Sequence, residues 1–426
     1  MASVDFGLRG PVSIGRRVVA LEIDDEPLSL RTPSQGDYLS RFIASASRGR
    51  VLDLVRIDRR GLRHTYRIRP DSRFSDGNPV QTRHVLRAIR AALHEAVWQR
   101  YLACLVEVRG SGDEVVLTLS EPAGYLPALL ATVDFAPIPS ESGVGNGPYL
   151  PPVPVDGGYL LRPAPSAAAD RTVADLYLSV QRDVDGVVER FESGKVDVTC
   201  STAFPLHRLP DMQGDPSYRT APTGITARLE PVPGSDLEMT AEHRRAIAAA
   251  IDRQQISEVL YRGVRPAEPW LLTPPAHRPP FSRPLVIGYH EYYPNRQIAE
   301  LVGRQLERTL GLATELLPLD YASGSAAGAD LLLVLRYPAF CHPYAVFEPC
   351  NLFVSDPQLD AALTELRLHV DWSEQTIRRA LIRLAEVCPV IPVVHVDGHW
   401  LARPGLAGIS RSMRGGSFAG PIRRYR

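Results

Sequence analysis

Apolar and polar residues follow two periods along this chain, and together they lay out a mixed α/β protein. Val18 to Ile23 is a six-residue apolar run broken only by Glu22, and it reads as a first buried strand. Leu39 to Ala46 is apolar on a helical period. Strands are predicted at Leu52–Ile57, Thr65–Arg69 and Glu114–Leu119. A long helix is predicted over His84–Leu105, where Val85, Ile89, Leu93 and Val97 form one stripe at i+4 spacing. Tyr159–Arg162, Leu176–Val180 and Val196–Thr199 read as further body segments, and a short strand at Ile225–Leu229 precedes a helix at Ala241–Ala250. Asn295–Leu310 is amphipathic, with Ile298, Leu301, Val302, Leu306 and Leu310 facing inward. Val286–Tyr289 and Leu331–Leu335 are continuously apolar, the mark of strands covered on both faces in a parallel-type sheet. Ile391–Val396 is a last extended run.

Length and composition narrow the class. The chain has 426 residues, 44% of them hydrophobic, enough for more than one core and for two to three lobes. The formal net charge is zero, so bulk electrostatics draw in neither nucleic acid nor anionic lipid. Arg411, Arg414, Arg423, Arg424 and Arg426 lack interleaved aromatics and read as a solvated tail. Lys195 is the one lysine, a skew that GC-rich genomes, actinobacterial ones among them, impose. The first residues carry no apolar stretch of secretory length and no lipid-acceptor cysteine, so a cytoplasmic protein without membrane insertion is expected. Five cysteines, an odd number without paired spacing, agree with a reducing compartment.

The most specific stretch runs from His64 to Val85, HTYRIRPDSRFSDGNPVQTRHV. It reads as a strand, a turn at Ser75-Asp76-Gly77-Asn78 and a helix beginning near Thr82. Asp accepts local amide hydrogens there and Gly takes positive φ without penalty. The tract resembles a signature of the peptide- and nickel-binding, family-5 extracytoplasmic solute-binding proteins of ABC importers. Gly145-Asn146-Gly147-Pro148-Tyr149, Phe191–Val198, Arg244–Gly263 and Ile298–Leu312 resemble further family segments in the same order. The resemblance implies an α/β periplasmic-binding-protein-like fold. It would have two large lobes, a hinge, a central ligand cleft and a small extra lobe. Residues 1–33, 141–222 and 397–426 would form lobe I, 34–140 the small lobe and 223–396 lobe III.

Candidate chemistry follows from position. Where family peptide receptors place an aspartate against the peptide's amino group, this chain runs Arg336-Tyr337-Pro338-Ala339-Phe340-Cys341-His342-Pro343 and has no carboxylate. A buried ammonium would go unneutralised, so Arg336 and Tyr337 point instead to an anionic ligand or to a structural role. Asp24, Asp25 and Glu26 follow the first strand; they read as a solvated loop, as partners of a ligand amine, or as a catalytic base. His290, Glu291 and Tyr292 follow a buried strand at its C-terminal end, where such sheets place ligands. His395, Asp397 and His399 alternate on an extended segment, and Cys341-His342 with Cys350 form no standard zinc spacing, so no metal is expected. There is no nucleotide loop, dinucleotide fingerprint or nucleophile elbow, so no cofactor is expected. Glu26, His290, Glu291, Tyr292, Arg336 and Tyr337 form the candidate ligand set. Two functions fit: a cytosolic binding protein enclosing a small polar, amino-acid- or peptide-derived and anionic ligand, with room for a protein partner; or a cofactor-independent biosynthetic enzyme using the cleft for an intramolecular cyclisation or substitution, as in natural-product pathways.

Overall fold

The computed structural model describes residues 18–23, 38–137, 145–235, 237, 239–268, 281–321, 325–370, 372–409 and 421–425. It divides into two compact units. One comprises Met1–Phe204, Gly214–Ala221 and Gly398–Arg426; the other comprises Pro205–Gln213 and Pro222–Asp397.

Among the described residues the first unit holds eight strands before its chain leaves it: β1 (Val18–Ile23), β2 (Leu52–Ile57), β3 (Arg63–Ile68), β4 (Leu105–Ser111), β5 (Glu114–Leu119), β6 (Val153–Val155), β7 (Gly158–Leu161) and β8 (Asp175–Val180). They form two sheets, ordered β1-β8-β7-β6 and β2-β3-β5-β4. β1 lies parallel to β8, and the second sheet is antiparallel throughout. Val19, Leu21 and Ile23 share a core with Leu39, Phe42, Ile43, Tyr149 and Ile422. Glu22, the break in the first apolar run, is fully buried. It accepts from Arg190 Nε at 2.7 Å and from the Cys200 amide at 3.2 Å.

The strand–turn–helix corner forms as its residues dictate. The Asn78 amide donates to Asp76 Oδ1 at 3.0 Å, Gly77 takes φ +88°, and the helix Thr82–Ala92 follows. His84 Nδ1 accepts the Gln81 amide at 3.0 Å, satisfying one orphan donor of that helix. The expected single helix over His84–Leu105 is two helices, Thr82–Ala92 and Ala96–Leu102, and Leu105 already belongs to β4. The reason is geometric. Strict i+4 spacing drifts about 40° per step around a 3.6-residue helix, so the stripe runs off the buried face. Breaking at Leu93 re-phases the chain and buries Trp98, Tyr101 and Leu102 instead.

Among the described residues one mixed sheet is built from β9 (Tyr218–Pro231), β10 (Val264–Pro266), β11 (Leu285–His290), β12 (Thr314–Leu319), β13 (Leu331–Arg336) and β14 (Ile391–Leu401), all of it in the second unit except the first residues of β9, up to Ala221, and the last of β14, from Gly398. Their order is β10-β14-β9-β13-β11-β12. β11 is parallel to both β12 and β13, while β13 is antiparallel to β9. The apolar runs thus marked strands of a parallel core, and an antiparallel half extends it. β9 is far longer than the five residues its apolar centre suggested, because its first half is largely solvent-facing. Val196–Thr199 contributes only the isolated bridges of Val198 to Leu21 and Ala402.

The tail returns to the first unit as β15 (Leu406–Ala407) and β16 (Arg423–Arg424), with Ile422 in the core. Arg423 pairs with Asp170 at 3.0 Å and Arg424 with Asp197 at 2.8 Å, so these two arginines anchor the tail rather than solvate it. Arg411, Arg414 and Arg426 lie outside the described residues. Among the described residues no helix is long and apolar enough to cross a membrane.

Candidate functional site

Three neighbouring strands of the second unit, β12, β11 and β13, run parallel and end at Leu319, His290 and Arg336. In such sheets the loops beyond the strand carboxyl ends gather ligand-contacting groups. The apolar strands β11 and β13 fix that edge because they are largely covered and cannot slide without exposing apolar surface. The loop after β11 is pinned by its own backbone. The Tyr292 amide donates to the His290 carbonyl at 2.8 Å, and Asn295 Nδ2 donates to the same carbonyl at 3.1 Å. Tyr293 hydroxyl accepts the Leu206 amide at 3.0 Å.

Aromatic rings assemble at this edge. Tyr321, just beyond β12, meets His290 edge to face at 5.1 Å between centroids and Tyr292 likewise at 5.2 Å. Such T-shaped pairs hold ring orientation as well as area. Burial, opposed by the Leu319 backbone and reinforced by the Arg336 cation, holds the His290 imidazole below its ordinary pKa. It is therefore neutral at pH 7, able to donate or accept a hydrogen bond.

Arg336 supplies the charge. Its Nε and Nη2 reach the two carboxylate oxygens of Glu230 at 2.9 and 2.8 Å, a bidentate fork. Glu230 and Arg228 alternate on β9, so their side chains share one face of the sheet, and Arg228 Nε donates to Glu230 Oε1 at 2.7 Å. Burial opposes ionisation of Glu230, yet the two guanidinium groups outweigh it and hold the carboxyl below its usual range. Arg228 Nη1 also donates to Cys350 Sγ at 3.6 Å, and that fully buried thiol is pushed up to about 11, by burial first. Glu230 and Arg228 are buried, whereas the Arg336 side chain is 54% exposed. Among the described residues its Nη1 makes no hydrogen bond.

The expected residues thus separate. His290, Tyr292, Arg336 and Tyr337 gather at one strand edge, with Tyr321 and Tyr337 both felt electrostatically by Arg336. Glu291 is exposed, and its charge acts on Arg296 of the following helix. Asp24, Asp25 and Glu26 lie outside the described residues. Tyr321 and Glu230 were not anticipated. The signal for Glu230 was present as Arg-x-Glu inside an apolar strand, a spacing that places both charges on one side. His395, Asp397 and His399 share a strand but serve different partners: Thr226 at 2.9 Å, Arg265 at 2.6 Å and Tyr218 at 2.7 Å. Among the described residues no group of three or more His, Cys, Asp or Glu is placed to hold a metal ion.

Residues 53–284 match the family described as Bacterial extracellular solute-binding proteins, family 5 Middle. The chain belongs to this family. No curated protein matches it by sequence. Solved structures match its fold. The Escherichia coli murein tripeptide binding protein MppA aligns over 96% of this chain and 98% of its own, at TM-score 0.78 and 16% identity. Haemophilus influenzae OppA, in complex with the peptide RPPGFSPFR, aligns over 96% and 99%, at TM-score 0.79 and 15% identity. The binding protein AgaA from A. tumefaciens R10, in complex with agropinic acid, aligns over 96% and 99%, at TM-score 0.79 and 16% identity. The periplasmic-binding-protein-like α/β fold expected from the sequence is the fold of this chain.

Proposed function

We propose that this protein binds a small polar ligand, derived from an amino acid or peptide and carrying negative charge, at the edge formed by His290, Tyr292, Tyr321, Arg336 and Tyr337. The observation that carries this reading is the Arg336 guanidinium. It is fixed by the Glu230 fork and half-exposed, with an edge unengaged among the described residues, beside aromatic rings. A fixed guanidinium loses little freedom on pairing with a carboxylate, and the rings supply apolar area for the rest of the ligand. Membership of a solute-binding family and neighbours solved with a peptide and with agropinic acid support the same reading.

The test is native mass spectrometry of the purified protein, which should show a co-purifying small molecule, and Arg336→Met should lose it. A bound mass unaffected by that substitution overturns the site. Release of the molecule chemically altered would move the protein to the enzyme reading. We also propose a reducing compartment for it. None of the five cysteines is in a disulfide and four are buried, which suits a protein that never meets an oxidising exit route. Fractionation of the native host, with the protein recovered outside the cytosol, would reject that placement.

A further inference from the structure

We infer that Glu230 sets the charge of the ligand, so that the site accepts a single negative charge and opposes a second. The inference rests on the anion-site reading above and deepens it. Two guanidinium cations, Arg228 and Arg336, face one carboxylate, Glu230, which leaves one net positive charge in the triad. Arg228 and Glu230 are both buried, so solvent screens their field less than that of surface groups. Asp320 and Glu291 are exposed and screened, and Glu348, half-buried, acts on Cys350 on the thiol side of Arg228 rather than on the Arg336 fork.

The geometry of the fork gives this count its force. Glu230 occupies Nε and Nη2 of Arg336 as a ligand carboxylate would, at 2.9 and 2.8 Å. An arriving carboxylate is left the Nη1 side and shares the guanidinium with Glu230. One such anion neutralises the triad. A dianion puts a second charge beside the buried carboxylate with no cation left to meet it, and like charges at that range repel strongly. The bound group is therefore a monocarboxylate, its remainder flat or apolar where Tyr292 and Tyr321 stand edge to face. Lys or neutral replacements at Arg336 are not equivalent, because the shared fork needs a planar group with donors on two sides.

The test uses three probes with one phenyl ring in common: phenylacetamide, phenylacetate and phenylmalonate, which carry zero, one and two charges at about pH 7.5. Isothermal titration calorimetry of the full chain should rank phenylacetate at least about tenfold above both others. Glu230→Gln raises the triad by one positive charge and should shift the ranking about tenfold toward phenylmalonate. Because that variant leaves Arg228 buried without its carboxylate, the double variant Arg228→Met/Glu230→Gln is measured beside it. That pair restores a single positive charge and should restore the phenylacetate preference. A ranking that stays the same in wild type and Glu230→Gln while Arg336→Met weakens every probe overturns the charge inference and leaves the site standing. No binding by any probe, or binding indifferent to Arg336→Met, removes the site and the inference with it.

Discussion

A carboxylate within a buried stretch of strand persists only with a cation beside it, and Glu22 has Arg190. Truncating the cation leaves the charge in place and unpaired, so Arg190→Met should cost about 3–5 kcal/mol. Urea denaturation should show this as a lower midpoint, and adding Glu22→Gln should recover most of it; equal midpoints for wild type and Arg190→Met would refute the pairing. At this scale the sequence was least legible. Glu22 looked like an interruption of an apolar run, and nothing local in the sequence names a partner 168 positions away. Arg336 was found because it opens the stretch that matches the family's aspartate-bearing loop, a signal carried by the resemblance. Its partner Glu230 was missed because the two meet only when β9 and β13 pair side by side.

Elements were more legible, since periodicity is a local property. The helix Asn295–Leu310 and the strands Val18–Ile23 and Glu114–Leu119 lie where their apolar spacing put them. The motif Gly145-Asn146-Gly147-Pro148-Tyr149 was visible in the sequence, and the structure gives its physical cause. It closes the C-terminal end of the helix Tyr38–Ser47, whose last carbonyls otherwise lack donors. The Gly147 amide donates to the Ser47 carbonyl at 2.9 Å and the Tyr149 amide to the Ala46 carbonyl at 3.1 Å. Asn146 bonds both ways with the Gly49 backbone. A Cβ on Gly147 would lie 2.5 Å from the Ala46 carbonyl oxygen, a contact with backbone that no rotamer relieves. Gly147→Ala should therefore destabilise by on the order of 2–3 kcal/mol. A melting temperature within a degree or so of wild type would show that the turn opens freely to admit it.

Across the molecule, titration adds up. His64, His84, His290, His342 and His395 are all held below the ordinary imidazole pKa, with burial the largest cause at each. The unfolded chain takes up protons near pH 6.5 while these folded sites resist, so the unfolded state binds more protons as pH falls. Stability is fully present above about pH 6.5 and is lost progressively below it. Thermal melts between about pH 5 and 8 should show that slope, and a flat profile would mean the imidazoles are solvated. Fold and family were legible at this scale because several motifs in order constrain the whole path. The proposed site was not, because its side chains come from strands far apart in the chain.

The cysteines allow one more reading. Cys341 is exposed, while Cys104, Cys200, Cys350 and Cys388 are buried, and burial above all pushes the last two up to about 11. Alkylating reagents attack the thiolate and need access to it. Iodoacetamide should therefore add one adduct to the native protein and five after denaturation, giving a mass-resolved gauge of how much of a population has opened. A fluorophore at Cys341, five positions past Arg336, would also place an optical reporter beside the proposed ligand loop without altering a single codon.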